Sequence, residues 1–239
     1  MEIVIESLVE GAQRAKGTVV VIDVLRAFTS TCVAFERGVD HIVMVAEVEE
    51  ALALREAGAA DLCIGEVAGL KPDGFDYGNS PYELSGADLS GKVIAQSTRA
   101  GTTGVALAAE AGAERLFAGS LVNAAATVRA IAAIGAAIGP EHVTLAAMGA
   151  WGTIRSDEDE QCAWYLKNLL QGRRPDPQAV RSLVLAGEES QKYHDPMQER
   201  YHAKDLEMAT RIDSVDFAIG VERRDGLLIA RPIRPAQLA

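Results

Sequence analysis

Two residues of opposite charge, Asp23 and Arg26, follow the apolar run of residues 19–22. A carboxylate at the end of such a run is costly unless a metal ion or another cation compensates its charge. Three residues later, Arg26 offers a planar guanidinium that suits phosphate or sulfonate groups. A helix cap at Asp23, or an internal Asp23–Arg26 ion pair, explains the same residues equally well. The pair thus predicts either an anion and metal site or a structural contact.

A second polar segment, residues 97–104, reads Ser-Thr-Arg-Ala-Gly-Thr-Thr-Gly. It brings hydroxyls, an arginine and glycines to a predicted helix start, where free backbone N–H groups and the helix dipole favour an anion. Its spacing matches neither a Walker loop nor the GxGxxG fingerprint. A capped helix after a glycine-containing turn is the structural alternative. The candidate anion-binding residues here are Ser97, Thr98, Arg99, Gly101 and Thr102.

Further oxygen donors are Glu66, at the end of a predicted strand, and the acidic run of residues 157–160. Magnesium prefers such oxygens and needs only one or two protein carboxylates beside water and substrate oxygens. An acidic run is also typical of a solvated first helical turn. Asn79 and Ser80 lie in the turn sequence Gly-Asn-Ser-Pro, which by itself requires no function.

Several classes of function are disfavoured. A net charge of −11 repels phosphate backbones, so nucleic acid is not an expected partner. The four histidines lack metal-ligand spacing and no Gly-x-Ser-x-Gly elbow occurs, which argues against zinc hydrolases and serine esterases. Three scattered cysteines favour a reducing, cytoplasmic location. An acidic N-terminus and the lack of an apolar run of ~20 residues predict neither export nor membrane insertion.

The elements that must position these residues alternate between short β-branched runs and Ala/Leu/Glu-rich segments of helical period. This pattern predicts an α/β fold with a mixed, largely parallel sheet covered by helices, in two α/β lobes with the site between them. In such sheets ligands bind beyond the carboxyl ends of the strands. The predicted strands are 19–23, 41–46, 62–66, 92–97, 115–118 and 142–148, with helices at 29–37, 47–57, 102–111, 124–134, 162–170, 179–186 and 198–211. A terminal hairpin turns at Asp225-Gly226.

Taken together, the polar segments resemble the 2-phosphosulfolactate phosphatase family, the ComB-like proteins. The most specific match is Asp-Val-Leu-Arg-Ala at 23–27 with the Thr/Ser run at 29–31. Ile-Gly-Glu at 64–66, Gly-Asn-Ser-Pro at 78–81 and the segment 97–102 support it. Glu158 and Asp159, followed by Cys162-Ala163, look like the late acidic motif of the family. The resemblance runs over nearly the whole chain, residues 1–239, as one unit, with a possible lobe seam near 105–120.

The resemblance implies a Mg²⁺-dependent hydrolysis of 2-phosphosulfolactate to sulfolactate and phosphate, in the coenzyme M route. It assigns Asp23, Glu66 and Asp159 to the metal or to water activation, with Arg26 as a further catalytic residue. The anion cradle is then Arg26 with Ser97, Thr98, Gly101 and Thr102, and Asn79 and Ser80 become substrate contacts. The role of Asp23, as a metal ligand or as a nucleophile, is left open by the sequence. Where the family often carries Asn-Gly, this chain has Arg99-Ala100, which adds a positive charge to the cradle.

Other interpretations remain. A binding protein that kept the anion pocket and lost hydrolysis would carry a phosphate or sulfonate metabolite, and a phosphatase of another small phospho-hydroxy acid fits the same residues. A nucleotide-binding enzyme is disfavoured because no phosphate-loop fingerprint is present. The apolar segment 124–134 suits a homodimer surface as readily as a core face.

Overall fold

The computed structural model describes residues 1–138 and 142–234, and it has the predicted α/β architecture. The strands are β1 (Glu2–Ser7), β2 (Thr18–Ile22), β3 (His41–Val45), β4 (Leu62–Glu66), β5 (Val93–Thr98), β6 (Arg115–Gly119), β7 (His142–Ala147), β8 (Ala218–Arg224) and β9 (Leu227–Ile233). The helices are α1 (Leu8–Arg14), α2 (Ala27–Glu36), α3 (Val48–Glu56), α4 (Pro81–Ser85), α5 (Gly101–Glu110), α6 (Ala124–Ile138), α7 (Asp157–Leu170), α8 (Pro177–Ala186), α9 (Glu188–Gln191) and α10 (Ala203–Ala209).

A nine-stranded sheet joins these strands in the order β1-β7-β2-β6-β8-β9-β3-β5-β4. One half, β1, β7, β2 and β6, is parallel throughout, and so is the other half, β3, β5 and β4. The β8–β9 hairpin lies between the halves and pairs antiparallel with both. The prediction of a largely parallel sheet is confirmed, and the expected two lobes correspond to two halves of one sheet. The predicted seam near 105–120 falls on the end of α5 and on β6 and stays a prediction.

Helix α5 packs against strands of both halves, and α2 shares a core cluster with it. Strand β2 is buried on both faces, as expected for a parallel strand covered on each side. Val19 and Val21 join one core cluster with Phe28 of α2, Val105 of α5 and Met44 of β3. Val20 and Ile22 face a second cluster with α6, α7 and β7. This arrangement places the first residues of α2 and α5 beside each other.

The terminal hairpin is confirmed, with positive φ angles at Asp225 and Gly226 that suit its tight turn. The predicted helix at 198–211 is wrong over its first part, because α10 begins only at Ala203. Residues 195–202 form turns instead, in which the Asp195 carboxylate accepts the Met197 N–H at 2.9 Å. Strand β1 and helix α1 were not predicted. No helix within 1–138 and 142–234 is both long and apolar enough to cross a bilayer.

Candidate active site

The loops that follow β2, β4, β5 and β7 enclose a narrow cavity of about 50 Å³, the inner cavity. A larger cavity of about 690 Å³ lies against β8 and β9 and contains none of the candidate site residues. The types of side chain that line the cavities, and not the cavity volumes, therefore identify the candidate site. The inner cavity is lined by Asp23, Leu25, Arg26, Glu66, Gly69, Asn79, Arg99, Ala100, Gly149, Ala150, Trp151, Glu158, Glu189, Lys192, Tyr193 and Tyr201.

Asp23 stands directly after the buried strand β2 and is only 6% exposed. Its Oδ1 accepts the N–H of Ala27, the first residue of α2, at 2.9 Å, although Arg26 and not Asp23 occupies the N-cap position. Burial, together with the nearby Glu66 charge, raises the pKa of Asp23 to about 6. The N–H groups of Ala27 and Gly101 and the Arg26 charge oppose this rise. Asp23 is thus a buried carboxylate that lacks a full counter-charge.

Gly101, the first residue of α5, approaches Asp23 so closely that only glycine fits. A Cβ at this position would lie 2.9 Å from the Asp23 Oδ2 and 2.8 Å from the Ala27 Cβ. Its N–H donates to the Asp23 carboxylate. The N-terminus of α5, with its positive dipole end, is therefore aimed at Asp23.

The hydroxyl residues around Gly101 are buried in the protein and do not line the cavity. Thr102 Oγ1 accepts the Thr98 N–H at 2.8 Å, and Thr98 Oγ1 accepts the Thr102 N–H at 3.0 Å. Ser97 Oγ donates to the Ala46 carbonyl at 3.3 Å. These bonds fix the turn between β5 and α5. Of the predicted anion cradle in this loop, it is Arg99 that reaches the cavity.

Glu66 and Asn79 face the same cavity from the second half of the sheet. Glu66 accepts two main-chain N–H groups, from Arg99 at 2.9 Å and from Gly69 at 2.6 Å. Asn79 is 5% exposed, and within the described residues its Oδ1 has no hydrogen-bond partner. A buried acceptor without a partner is rare and suits an atom that receives a ligand.

The first turn of α7 contributes Glu158 to the cavity rather than the predicted Asp159. The two oxygens of Asp159 accept the Val24 N–H at 2.7 Å and the Gly149 N–H at 2.8 Å, and Asp159 is not among the lining residues. Burial raises its pKa well above the usual range, as do the charges of Glu158 and Asp23. Burial likewise raises the pKa of Glu158 to about 7. The acidic run is therefore not simply a solvated turn.

Arg26 pairs with Asp205 instead of with Asp23. Its Nη1 donates to Asp205 Oδ2 at 2.9 Å and to the Arg200 carbonyl at 2.9 Å, and both side chains of the pair are buried. The other Asp205 oxygen accepts the Ser80 hydroxyl at 2.7 Å and the Tyr82 N–H at 3.0 Å. Ser80 also accepts the Glu83 N–H and so caps α4. Ser80 thereby supports Arg26 and does not itself line the cavity.

The segment 188–201 supplies lining residues that sequence reasoning missed. Lys192 forms an ion pair with Glu189, and the Tyr201 ring centroid lies 5.4 Å from the Arg26 guanidinium carbon. Tyr193 is buried beside them. No motif spacing marks this segment, and the clustering of Lys, Tyr and Arg at 192–201 is the signal that the sequence offers.

The donors in the cavity fit a magnesium ion that takes part of its shell from water and substrate. No set of three or more His, Cys, Asp or Glu side chains in the described ranges is arranged to hold a metal by itself. Asp23 and Glu66 are close enough for the Glu66 charge to raise the Asp23 pKa, and Asn79 adds an oxygen that no other described residue hydrogen-bonds. Mg²⁺ commonly uses one or two carboxylates and completes its shell with water and phosphate.

Comparison with known proteins agrees with the resemblance seen in the motifs. A family model described as 2-phosphosulpholactate phosphatase matches residues 3–230. A probable 2-phosphosulfolactate phosphatase of Bacillus subtilis is 30% identical over 208 residues, which cover 87% of each chain. Another, of Caldicellulosiruptor saccharolyticus, is 30% identical over 82% of this chain and 86% of its own. A third, of Carboxydothermus hydrogenoformans, is 44% identical over 45% of this chain and 44% of its own.

Proposed function

Because the chain belongs to the 2-phosphosulpholactate phosphatase family, we propose that it hydrolyses 2-phosphosulfolactate to sulfolactate and phosphate with Mg²⁺. The observation that carries the proposal is the convergence of Asp23, Glu66, Arg26 and the unpartnered Asn79 oxygen on one cavity. Carboxylates without a counter-charge attract a divalent cation, and a fixed guanidinium attracts phosphate. A site for phosphoryl transfer needs both.

Arg26 binds the phosphate in this proposal. Its positive charge is held at the cavity wall by Asp205, the Arg200 carbonyl and the Tyr201 ring, so its geometry is fixed before substrate arrives. The guanidinium has five N–H donors, and a preorganised donor stabilises the charge that develops on the phosphoryl oxygens. The positioning of Arg26 by Asp205 is therefore part of the site.

Asp23 and Glu66, with the Asn79 oxygen, would hold Mg²⁺, which when bound neutralises phosphoryl oxygens and lowers the barrier to attack. Asp23 serves as a ligand rather than as a nucleophile in this proposal. Its carboxylate already accepts N–H groups from Ala27 and Gly101, which withdraw electron density from the oxygens.

Glu158 supplies the proton for the leaving group. Its pKa of about 7 keeps a substantial protonated fraction near neutral pH, as a general acid requires. A water oxygen bonds to phosphorus while the ester P–O bond breaks, and the ester oxygen keeps the electron pair and takes the Glu158 proton. One proton of the water stays on the phosphate and the other passes to solvent, from which Glu158 is protonated again. The products are the alcohol and inorganic phosphate.

The test is phosphate release from 2-phosphosulfolactate by purified protein, with Mg²⁺ and with a chelator. We expect release with Mg²⁺ and its loss with the chelator. A control substitution is Asp73→Asn, since Asp73 is exposed and outside the cavity. If wild-type protein with Mg²⁺ liberates no phosphate from this ester, the proposed function is wrong.

A further inference from the structure

Three cationic side chains line the inner cavity, and they differ in how their charge is balanced. Arg26 is neutralised by the fully buried Asp205, and Lys192 pairs with Glu189. Arg99 is exposed, and within the described part of the chain its guanidinium has neither an ion pair nor a hydrogen bond. Its main-chain N–H alone is engaged, by Glu66. Of the three, Arg99 is therefore the cation whose charge no other described residue balances.

A second cavity adjoins the first at Arg99. This outer pocket measures about 340 Å³ and is lined by Val67, Ala68, Arg99, Trp151 and Thr153. It shares Arg99 and Trp151 with the inner cavity, so the two are contiguous. Trp151 is 51% exposed and Val67 is 43% exposed, which gives the outer pocket apolar walls around a single charge.

The volumes of the two cavities indicate which part of the substrate each can hold. The inner cavity, at about 50 Å³, has room for only a few atoms beyond a water molecule, which needs roughly 10–15 Å³ of such space. It suits the phosphoryl group beside Asp23 and Arg26. The remainder of an ester must extend outward, and the contiguous space beside Arg99 is the outer pocket.

We infer that the outer pocket binds the anionic group of the substrate that lies farthest from the phosphate, with Arg99 as its charge partner. In 2-phosphosulfolactate this group is the sulfonate. The inference rests on the proposed function and adds a determinant of specificity to it. Arg99 selects phosphate esters that carry a remote acidic group over otherwise identical esters that lack it.

The experiment compares 2-phosphosulfolactate with 2-phospholactate, which differs from it by the loss of the sulfonate. For Arg99→Gln we expect the ratio of the two kcat/KM values to fall about tenfold, the lower end of what a charge-assisted hydrogen bond contributes. Arg99→Lys should recover part of the ratio, because it restores the charge without the planar fork. Arg224→Gln, at an exposed position of β8 outside both cavities, is the matched control and should leave the ratio unchanged.

Calorimetric binding of sulfolactate and lactate tests the same inference without turnover. Arg99→Gln should weaken sulfolactate binding about tenfold and leave the affinity for lactate nearly as in wild type. An unchanged ratio of kcat/KM together with unchanged sulfolactate binding overturns the inference while the phosphatase assignment stands. Failure of wild-type protein to hydrolyse either ester overturns the assignment instead, and the binding measurement then still decides the role of Arg99.

Discussion

Two charged regions meet at the inner cavity and differ in how their charge is balanced. In the arginine network, Arg26 and Asp205 form a buried ion pair whose remaining oxygen is also hydrogen-bonded. In the carboxylate wall, made by Asp23, Glu66 and Glu158, the charges are met mainly by main-chain N–H groups, and the neighbouring carboxylates repel one another. The network is complete without a ligand, whereas the wall gains stability from a cation. In the proposed function, this contrast separates the part that would position the substrate from the part that would hold Mg²⁺.

Removal of the Asp23 carboxylate should have the largest effect on activity. Asp23→Asn keeps the volume but loses the charge that balances a cation, so we expect kcat/KM to fall by at least about 10³-fold, comparable to loss of a key electrostatic group. Steady-state phosphate release measures this, with circular dichroism as the check on folding and Asp73→Asn as the control. Activity within about tenfold of wild type would show that the wall is not catalytic.

Removal of the Asp205 charge should break the arginine network instead. Asp205→Asn leaves the buried Arg26 guanidinium without its counter-charge, and we expect the free energy of unfolding to drop by about 3 kcal/mol. Because Arg26 would then lose its fixed position, KM should rise more than kcat falls. Ser80→Ala, which removes a neutral partner of Asp205, should cost only about 1 kcal/mol. Equal losses of unfolding free energy for Asp205→Asn and Ser80→Ala in denaturant titrations would contradict the role of the Asp205 charge in the arginine network.

Two neighbouring carboxylates of α7 offer a sharper comparison. Glu158→Gln removes a group that lines the cavity, and we expect kcat to fall about 10²-fold, as for loss of a general acid. Asp159→Asn leaves the Val24 or Gly149 N–H without its acceptor, so it should cost about 1–3 kcal/mol of stability. Kinetics and thermal unfolding of both variants test this. If Asp159→Asn lowers kcat and Glu158→Gln lowers only the stability, the catalytic role belongs to Asp159, as predicted from the sequence.

The wall should also make the metal-free protein less stable as pH rises. The pKa of Asp23, about 6, and that of Glu158, about 7, lie above their usual ranges, so the folded state holds these protons more tightly than the unfolded state. Between pH 5 and pH 8 the protons are lost, and the free energy of unfolding should fall by on the order of 2 kcal/mol. Asp23→Asn should reduce this fall, because its charge no longer opposes ionisation of Glu158. A pH dependence equal to that of wild type would argue against the coupling.

The fold was predictable from the sequence, whereas only part of the predicted site meets at the inner cavity, and the differences have physical causes. The predicted residues that line the cavity all stand at strand ends or in turns of the sequence: Asp23, Arg26, Glu66, Asn79 and Arg99. Asp159 was predicted at the site, but Glu158 lines the cavity. Adjacent residues in a first helical turn point in different directions, and their position in the sequence does not show which of them faces the cavity.

Other site features depend on contacts distant in sequence. Asp205 reaches Arg26 across 179 positions, and no local pattern marks such a pair. The helix predicted at 198–211 followed composition, but Asp195 and Arg26 hold residues 195–202 in turns that help to build the cavity. Tertiary contacts thus overrode local propensity where the chain closes the site.

We expect the carboxylate wall, and not the arginine network, to receive the cation. Calorimetric titration of Mg²⁺ at pH 8, with Asp23 and Glu158 ionised, tests it in the wild type and in the Asp23→Asn and Asp205→Asn variants. We expect measurable binding to the wild type, binding weaker by at least about tenfold in Asp23→Asn, and binding within about twofold of wild type in Asp205→Asn. Wild-type affinity in Asp23→Asn, or an equal loss in both variants, would contradict it.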